Sequence, residues 1–200
     1  MKKAFVFLAM MAIVVSVSAQ KVKLVDGNLK FLKGQKVIKA EFTYNNMKIG
    51  KMKADDYINK KVSEKNKKKA GSGDIWLKKF KTDLDTAFPR YFVNMFNMFK
   101  KHLAVADIDG AEADYTMIIN TTFIEPGYNV GISSKRPEAA MDVSIVAKDN
   151  PDKVLAKFEI TKAPGGSMFG SGYSFKDRVG GCYENAASRL ASYFLKKKIF

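Results

Sequence analysis

APGGSMFGSGYSFKDRVGGCYENAASRL, residues 163–190, decides the fold class. Four glycines and three aromatics precede a helical pattern, as in the phosphate cradles of parallel α/β nucleotide enzymes. The chemistry of such a cradle is missing. A Walker loop needs a lysine after its last glycine, and Ser171 follows Gly170. A dinucleotide turn needs a third glycine where Phe175 stands. The stretch is therefore a strand-to-helix crossing. Ser174 and Asp177 form a capping-box-like pair at the start of a helix that lines up Phe175, Val179, Cys182, Ala186 and Leu190 on one face. Gly180 and Gly181 weaken that helix by about 1 kcal/mol each relative to alanine, so close packing against a sheet is expected to compensate. Lysines 196 to 198 suit its C-terminal end.

Upstream, residues 113–123 set Tyr115, Met117 and Ile119 against Thr116, Ile118 and Asn120. Residues 139–147 and 154–160 follow, joined at Asp149-Asn150-Pro151-Asp152. Three such runs in succession read as an antiparallel meander. Lys21 to Leu32 reads as a hairpin around Asp26-Gly27-Asn28, and Lys36 to Tyr44 as a further strand. Residues 55–69 form a polar helix with a narrow stripe of Tyr57, Ile58 and Val62, ending before Gly71-Ser72-Gly73. Asp74 is placed to cap the next helix, which Pro89 breaks or kinks. Beyond it Phe88, Phe92, Met95, Phe96, Phe99 and Leu103 recur at helical spacing, with Tyr91 and Met98 widening the arc so that it needs cover on two sides. The expected fold is α+β: a two-layer sandwich of an antiparallel sheet of about four or five strands, packed by two long helices plus a short polar one.

Met1, Lys2 and Lys3, an apolar run from Ala4 to Val17, and small residues to Ala19 make a cleaved secretory signal peptide. The run is shorter than the roughly 20 residues of a spanning helix, and the lone cysteine, Cys182, is not placed to carry a lipid anchor. Residues 20–200 are expected to form a single exported domain, periplasmic or secreted, with no disulfide and no transmembrane segment.

The formal net charge is +15, and most of the excess lies in the lysine-rich stretch from Lys21 to Lys69. The arginines are Arg90, Arg136, Arg178 and Arg189. Arginine is the usual bidentate phosphate ligand, so a solvated lysine surface is the first reading and nucleic acid is not expected. An anionic lipid or glycan would still be attracted over about 8 Å.

Catalytic residues are not expected. His102, the one histidine, follows two lysines and has no carboxylate at motif spacing, and Cys182 sits on an apolar helix face. No cofactor is implied. Asp107, Asp109, Glu112 and Asp114 resemble the opening of a calcium loop, but Gly110 stands at position four where such a loop wants glycine at six. The meander sorts the loops by chemistry. One end gathers Tyr128, Lys135 and Arg136 with Met168, Phe169 and Tyr173 of the Gly-rich crossing, the candidate binding loops. The other gathers Asp107, Asp109, Asp149 and Asp152, weak cation candidates.

The stretches LKGQKVIKAEFTYNNMKIGK (32–51), DDYINKKVSEKNKKKAGSGDIW (55–76) and CYENAASRLASYFLKKK (182–198), with the leader, resemble a group of uncharacterised secreted proteins of Bacteroidota-type bacteria. In outline the order of elements is similar to small envelope-assembly domains such as the TolB amino-terminal domain. The resemblance implies an envelope location and brings no functional residues. The expectation is a non-catalytic binding or accessory protein of the envelope, its partner an envelope protein or an anionic lipid or glycan. The alternatives are a carrier of an apolar or anionic lipid and an unrecognised hydrolase.

Overall fold

The computed structural model describes residues 20–99, 105–110, 112–130, 132–166 and 174–198. The leader Met1 to Ala19, and His102, Leu103, Met168, Phe169 and Tyr173, lie outside these residues.

One large sheet takes in β1 (Lys21–Gly27), β2 (Val37–Thr43), β3 (Lys48–Ile49), β4 (Met52–Lys53), β5 (Val105–Asp107) and β6 (Tyr115–Glu125), the longer strands showing period-two alternation. A small ribbon of β7 (Tyr128–Val130) and β8 (Ser133–Lys135) precedes the last two sheet strands, β9 (Glu138–Ala147) and β10 (Asn150–Pro164). The sheet has eight strands, six in the order β1-β10-β9-β6-β2-β5, with β3 pairing with β6 and β4 pairing with β3. The meander is present, β9 lying antiparallel between β6 and β10. The fold is α+β, but the sheet is mixed. β2 runs parallel to both β5 and β6 because the helices that follow it carry the chain back to the end where it began. The hairpin expected around Asp26-Gly27-Asn28 does not form. β1 is a single edge strand on β10, and Asn28 Oδ1 accepts the Lys30 N–H at 3.0 Å as the chain turns into a 3₁₀ segment, Lys30–Leu32. Leu29 and Leu32 are buried there, which drives that segment into the core and away from a second strand.

The register explains why one sheet face is covered. Phe42, Ile119, Val143, Phe158 and Leu24 form one transverse row, and Ala40, Met117, Ile145 and Ala156 the next. Between them lie Glu41, Ile118, Ser144 and Lys157 on the opposite face, where Lys157 pairs with Asp142 at 3.8 Å. A helical layer closes the apolar side: α1 (Ala54–Lys68), α2 (Ser72–Thr82), a π turn (Asp83–Ala87), α3 (Phe88–Asn97) and α4 (Phe175–Lys196). α1 buries no residue fully and leans on α2 through Tyr57 and Trp76. Gly73 permits that contact, since a Cβ there would lie 2.4 Å from the Val62 carbonyl oxygen. Asp74, expected as the cap, lies inside the first turn, and left-handed Gly71 (φ 78°) precedes the helix.

Pro89 lacks an N–H, and the break expected from it is the π turn just before α3. Phe88, Phe92, Met95 and Phe96 are buried between α4 and the sheet: Phe88 stacks on Tyr183, Phe96 meets Phe194, and Phe92 meets Phe42. Met98 points outward, 65% exposed, so the apolar arc is narrower than its sequence implies. Ser174 caps α4 as expected, its Oγ accepting from the Asp177 N–H at 3.1 Å. Gly180 and Gly181 are needed for a different reason than the one expected. They face the Tyr91 ring and the Gly166 backbone, at 2.6 and 2.4 Å from a would-be Cβ, and not the sheet.

Candidate functional site

Three regions merit consideration, and the first is the loop end of the sheet. Glu125 of β6 pairs directly with Glu138 of β9, so residues 126–137 are an excursion beyond what the sheet requires. Its base is anchored. Gly127 (φ 66°) has no room for a side chain beside the Lys135 carbonyl and Pro137, and Lys135 Nζ pairs with the Glu125 carboxylate. That carboxylate raises the lysine's pKa. The Gly165 N–H donates to the Pro137 carbonyl at 2.7 Å, and the Gly166 N–H to the Arg178 carbonyl at 3.2 Å. Tyr128, Lys135 and Arg136 thus share one end of the molecule with the start of the Gly-rich crossing. Met168, Phe169 and Tyr173 lie outside the described residues. The feature that sequence reasoning missed is Ile132, fully exposed between β7 and β8, beside a Tyr128 that is 46% exposed. A single isoleucine between two short polar strands carries no periodicity, so the sequence offered no signal for it.

At the opposite end the acidic loops meet, Asp109 and Pro151 lining one hollow. Asp107 Oδ1 accepts the Asp109 N–H at 3.1 Å, an intraloop contact. The hollow of about 330 Å³ beside it is lined by Lys39 and Lys148 as well as by Glu41 and Asp109. Among the described residues no group of three or more His, Cys, Asp or Glu side chains is arranged to hold a metal ion. Asp149 and Asp152 do not line that hollow.

The third region is a groove of about 480 Å³ where β1 and the 3₁₀ segment meet the C-terminal turn of α4. Lys30, Lys33, Lys197 and Lys198 rim it, and Leu24, Leu29 and Tyr193 form its floor. Its two halves come from opposite ends of the chain. The lysine-rich early segment and the lysines after α4 were each visible in the sequence, but their meeting was not.

No family model matches the chain, and no curated protein matches it. Among solved structures, the PelC dodecamer of Paraburkholderia phytofirmans is similar in two crystal forms. They give TM-scores of 0.39 and 0.41 at 12% and 9% identity, covering 86% and 84% of this chain and 100% and 96% of PelC. Protein XCC0632 of Xanthomonas campestris, of the DUF330 family, aligns at TM-score 0.36 and 13% identity, over 82% of this chain and 83% of its own.

The most displaced titrations lie in the core, at Cys182 and Tyr183, and at its edge, at Tyr44. Burial pushes the Cys182 thiol up to about 12, and it raises the phenols of Tyr44 and Tyr183 well above their usual value. A buried thiol held protonated is a poor nucleophile. Tyr183 shares a 2.7 Å hydrogen bond with Thr121 and another with Tyr44, whose hydroxyl donates to the Leu84 carbonyl in the π turn. These hydroxyls satisfy backbone and side-chain groups that the irregular helix leaves over. Among the described residues no helix is long and apolar enough to cross a membrane.

Proposed function

We propose that the chain is an exported, non-catalytic binding or accessory protein of the bacterial cell envelope, and that it meets its partner through the β7–β8 ribbon. One observation carries this reading. The ribbon is an excursion the sheet does not need, held rigidly at its base, and it presents Ile132 fully to solvent. Segments that reach past the elements they join are where binding residues concentrate. Covering an isoleucine is worth about 1.5–3 kcal/mol, a gain that the isolated chain forgoes. The strongly shifted Cys182 and Tyr183 support binding over catalysis, because they sit in the core and not in an open cleft. Export rests on the leader, and the envelope role on the sequence resemblance.

The test is photocrosslinking in the producing cells, from a reactive residue placed at position 132 and, as an exposed control, at position 75, where Ile75 is 74% exposed. The expected result is one discrete adduct from 132 and none from 75. Equal labelling from both, or none from 132, would contradict the reading.

A further inference from the structure

We propose a second site, beyond the ribbon: the lysine-rimmed groove docks the protein on anionic phospholipid headgroups at a bilayer surface. The argument begins with charge. Lys30, Lys33, Lys197 and Lys198 converge on one groove, and among the described residues no carboxylate lines it. Each is exposed, and none forms an ion pair within the described residues. Asp26, an acid on β1, is engaged with the Gly27 N–H at 2.8 Å and does not line the groove. Four like charges brought together without a counter-charge repel one another, and an anionic surface is what relieves that repulsion. Lys23 and Lys196, also exposed, extend the positive field along the same two elements.

The floor narrows the chemistry. Leu24, Leu29 and Tyr193 offer an apolar base, with Lys197 Nζ lying 5.8 Å from the centre of the Tyr193 ring. The groove is open to solvent, so it offers a surface to the headgroup layer and no enclosed cavity to an acyl chain. The donors are lysines on flexible stems, which act as point charges and lack the fixed fork of arginine. Such a set suits the diffuse field of a headgroup layer better than one phosphate held in fixed geometry. Juxtamembrane lysines contribute roughly fivefold in affinity each, so four are worth on the order of several hundredfold.

Flotation of the purified exported chain with vesicles tests the site. Three chains are compared: the natural one, a groove variant (Lys30→Gln, Lys33→Gln, Lys197→Gln, Lys198→Gln), and an equal-charge control (Lys51→Gln, Lys67→Gln, Lys68→Gln, Lys69→Gln). Circular dichroism confirms that each folds. The natural chain and the control are expected to float with phosphatidylglycerol-containing vesicles at low salt, to release at high salt, and to ignore pure phosphatidylcholine. The groove variant is expected to bind on the order of several hundredfold more weakly. Loss of equal size in the control would reduce the effect to net charge and overturn the site. Binding of glycerol 3-phosphate in solution without flotation would reassign the groove to a soluble anion, and absence of flotation by the natural chain would overturn the proposal outright.

Discussion

Gly27 shows how much a single residue decides. It has φ 74°, and a Cβ there would lie 1.9 Å from the Leu155 carbonyl oxygen. Gly34 has a similar φ of 81° with nothing within 4 Å. Gly34→Ala should therefore cost about 1 kcal/mol, the left-handed penalty alone. Gly27→Ala should cost at least about 2 kcal/mol more, because strand β1 must move off β10 to relieve the clash. Urea unfolding of the two variants measures the difference, and equal costs would contradict the packing described. The sequence marked Asp26-Gly27-Asn28 as a turn but not which one, since the same residues suit a hairpin and the left-handed end of an edge strand. Cys182 was more legible: its place on an apolar helical face predicted an inert buried thiol. Its raised pKa sets the sign of a pH effect. The folded state holds the proton up to about pH 12, whereas the unfolded thiol loses it near 9.0, so stability is complete below pH 9 and falls as pH rises toward 12. The thiol accounts for on the order of 4 kcal/mol at the end of that range. Tyr44 and Tyr183 act in the same direction once unfolded phenols ionise near pH 10. Thermal melts between pH 9 and 10 should therefore show a slope that Cys182→Ala flattens.

Among the elements, the helix from Ser72 to Asn97 is the most informative, because it was half legible. The Phe88, Phe92 and Phe96 spacing gave the buried face correctly, and Pro89 announced an irregularity. The remedy for that irregularity was invisible. Tyr44, on the other side of α1, supplies the hydroxyl that satisfies the Leu84 carbonyl in the π turn. Tyr44→Phe removes that donor and a partner of Tyr183, and should destabilise the protein by about 1–3 kcal/mol without changing its helix content. Chemical denaturation followed by circular dichroism reads both quantities; a neutral result would show that water satisfies the turn. The β7–β8 ribbon makes the opposite prediction. Ile132→Asp should leave stability within about 0.5 kcal/mol, because a fully exposed side chain contributes nothing to the core.

For the molecule as a whole, residue alternation set the faces and left the strand directions open. Ile119, Val143 and Phe158 had to share one buried face whatever the strand order, and they do. Whether β2 ran parallel or antiparallel to β6 depended on where the intervening helices delivered the chain, which no local pattern records. The short strands β3, β4 and β5 were illegible for a related reason: runs of two or three residues hold no period, and they pair because neighbouring long strands offer edges. The groove between Lys30 and Lys197 follows the same rule, being made by closure of the fold and not by any segment. The protein is an α+β body whose proposed contacts lie outside its core. Native mass spectrometry of the chain, gently extracted from the cells that produce it, tests that proposal most directly, with Ile132→Asp beside the natural protein. The account predicts a discrete bound polypeptide mass on the natural chain, retained through a high-salt wash and missing from an Ile132→Asp chain of unchanged melting temperature. A bare natural chain, or the same bound mass on the variant, would contradict it.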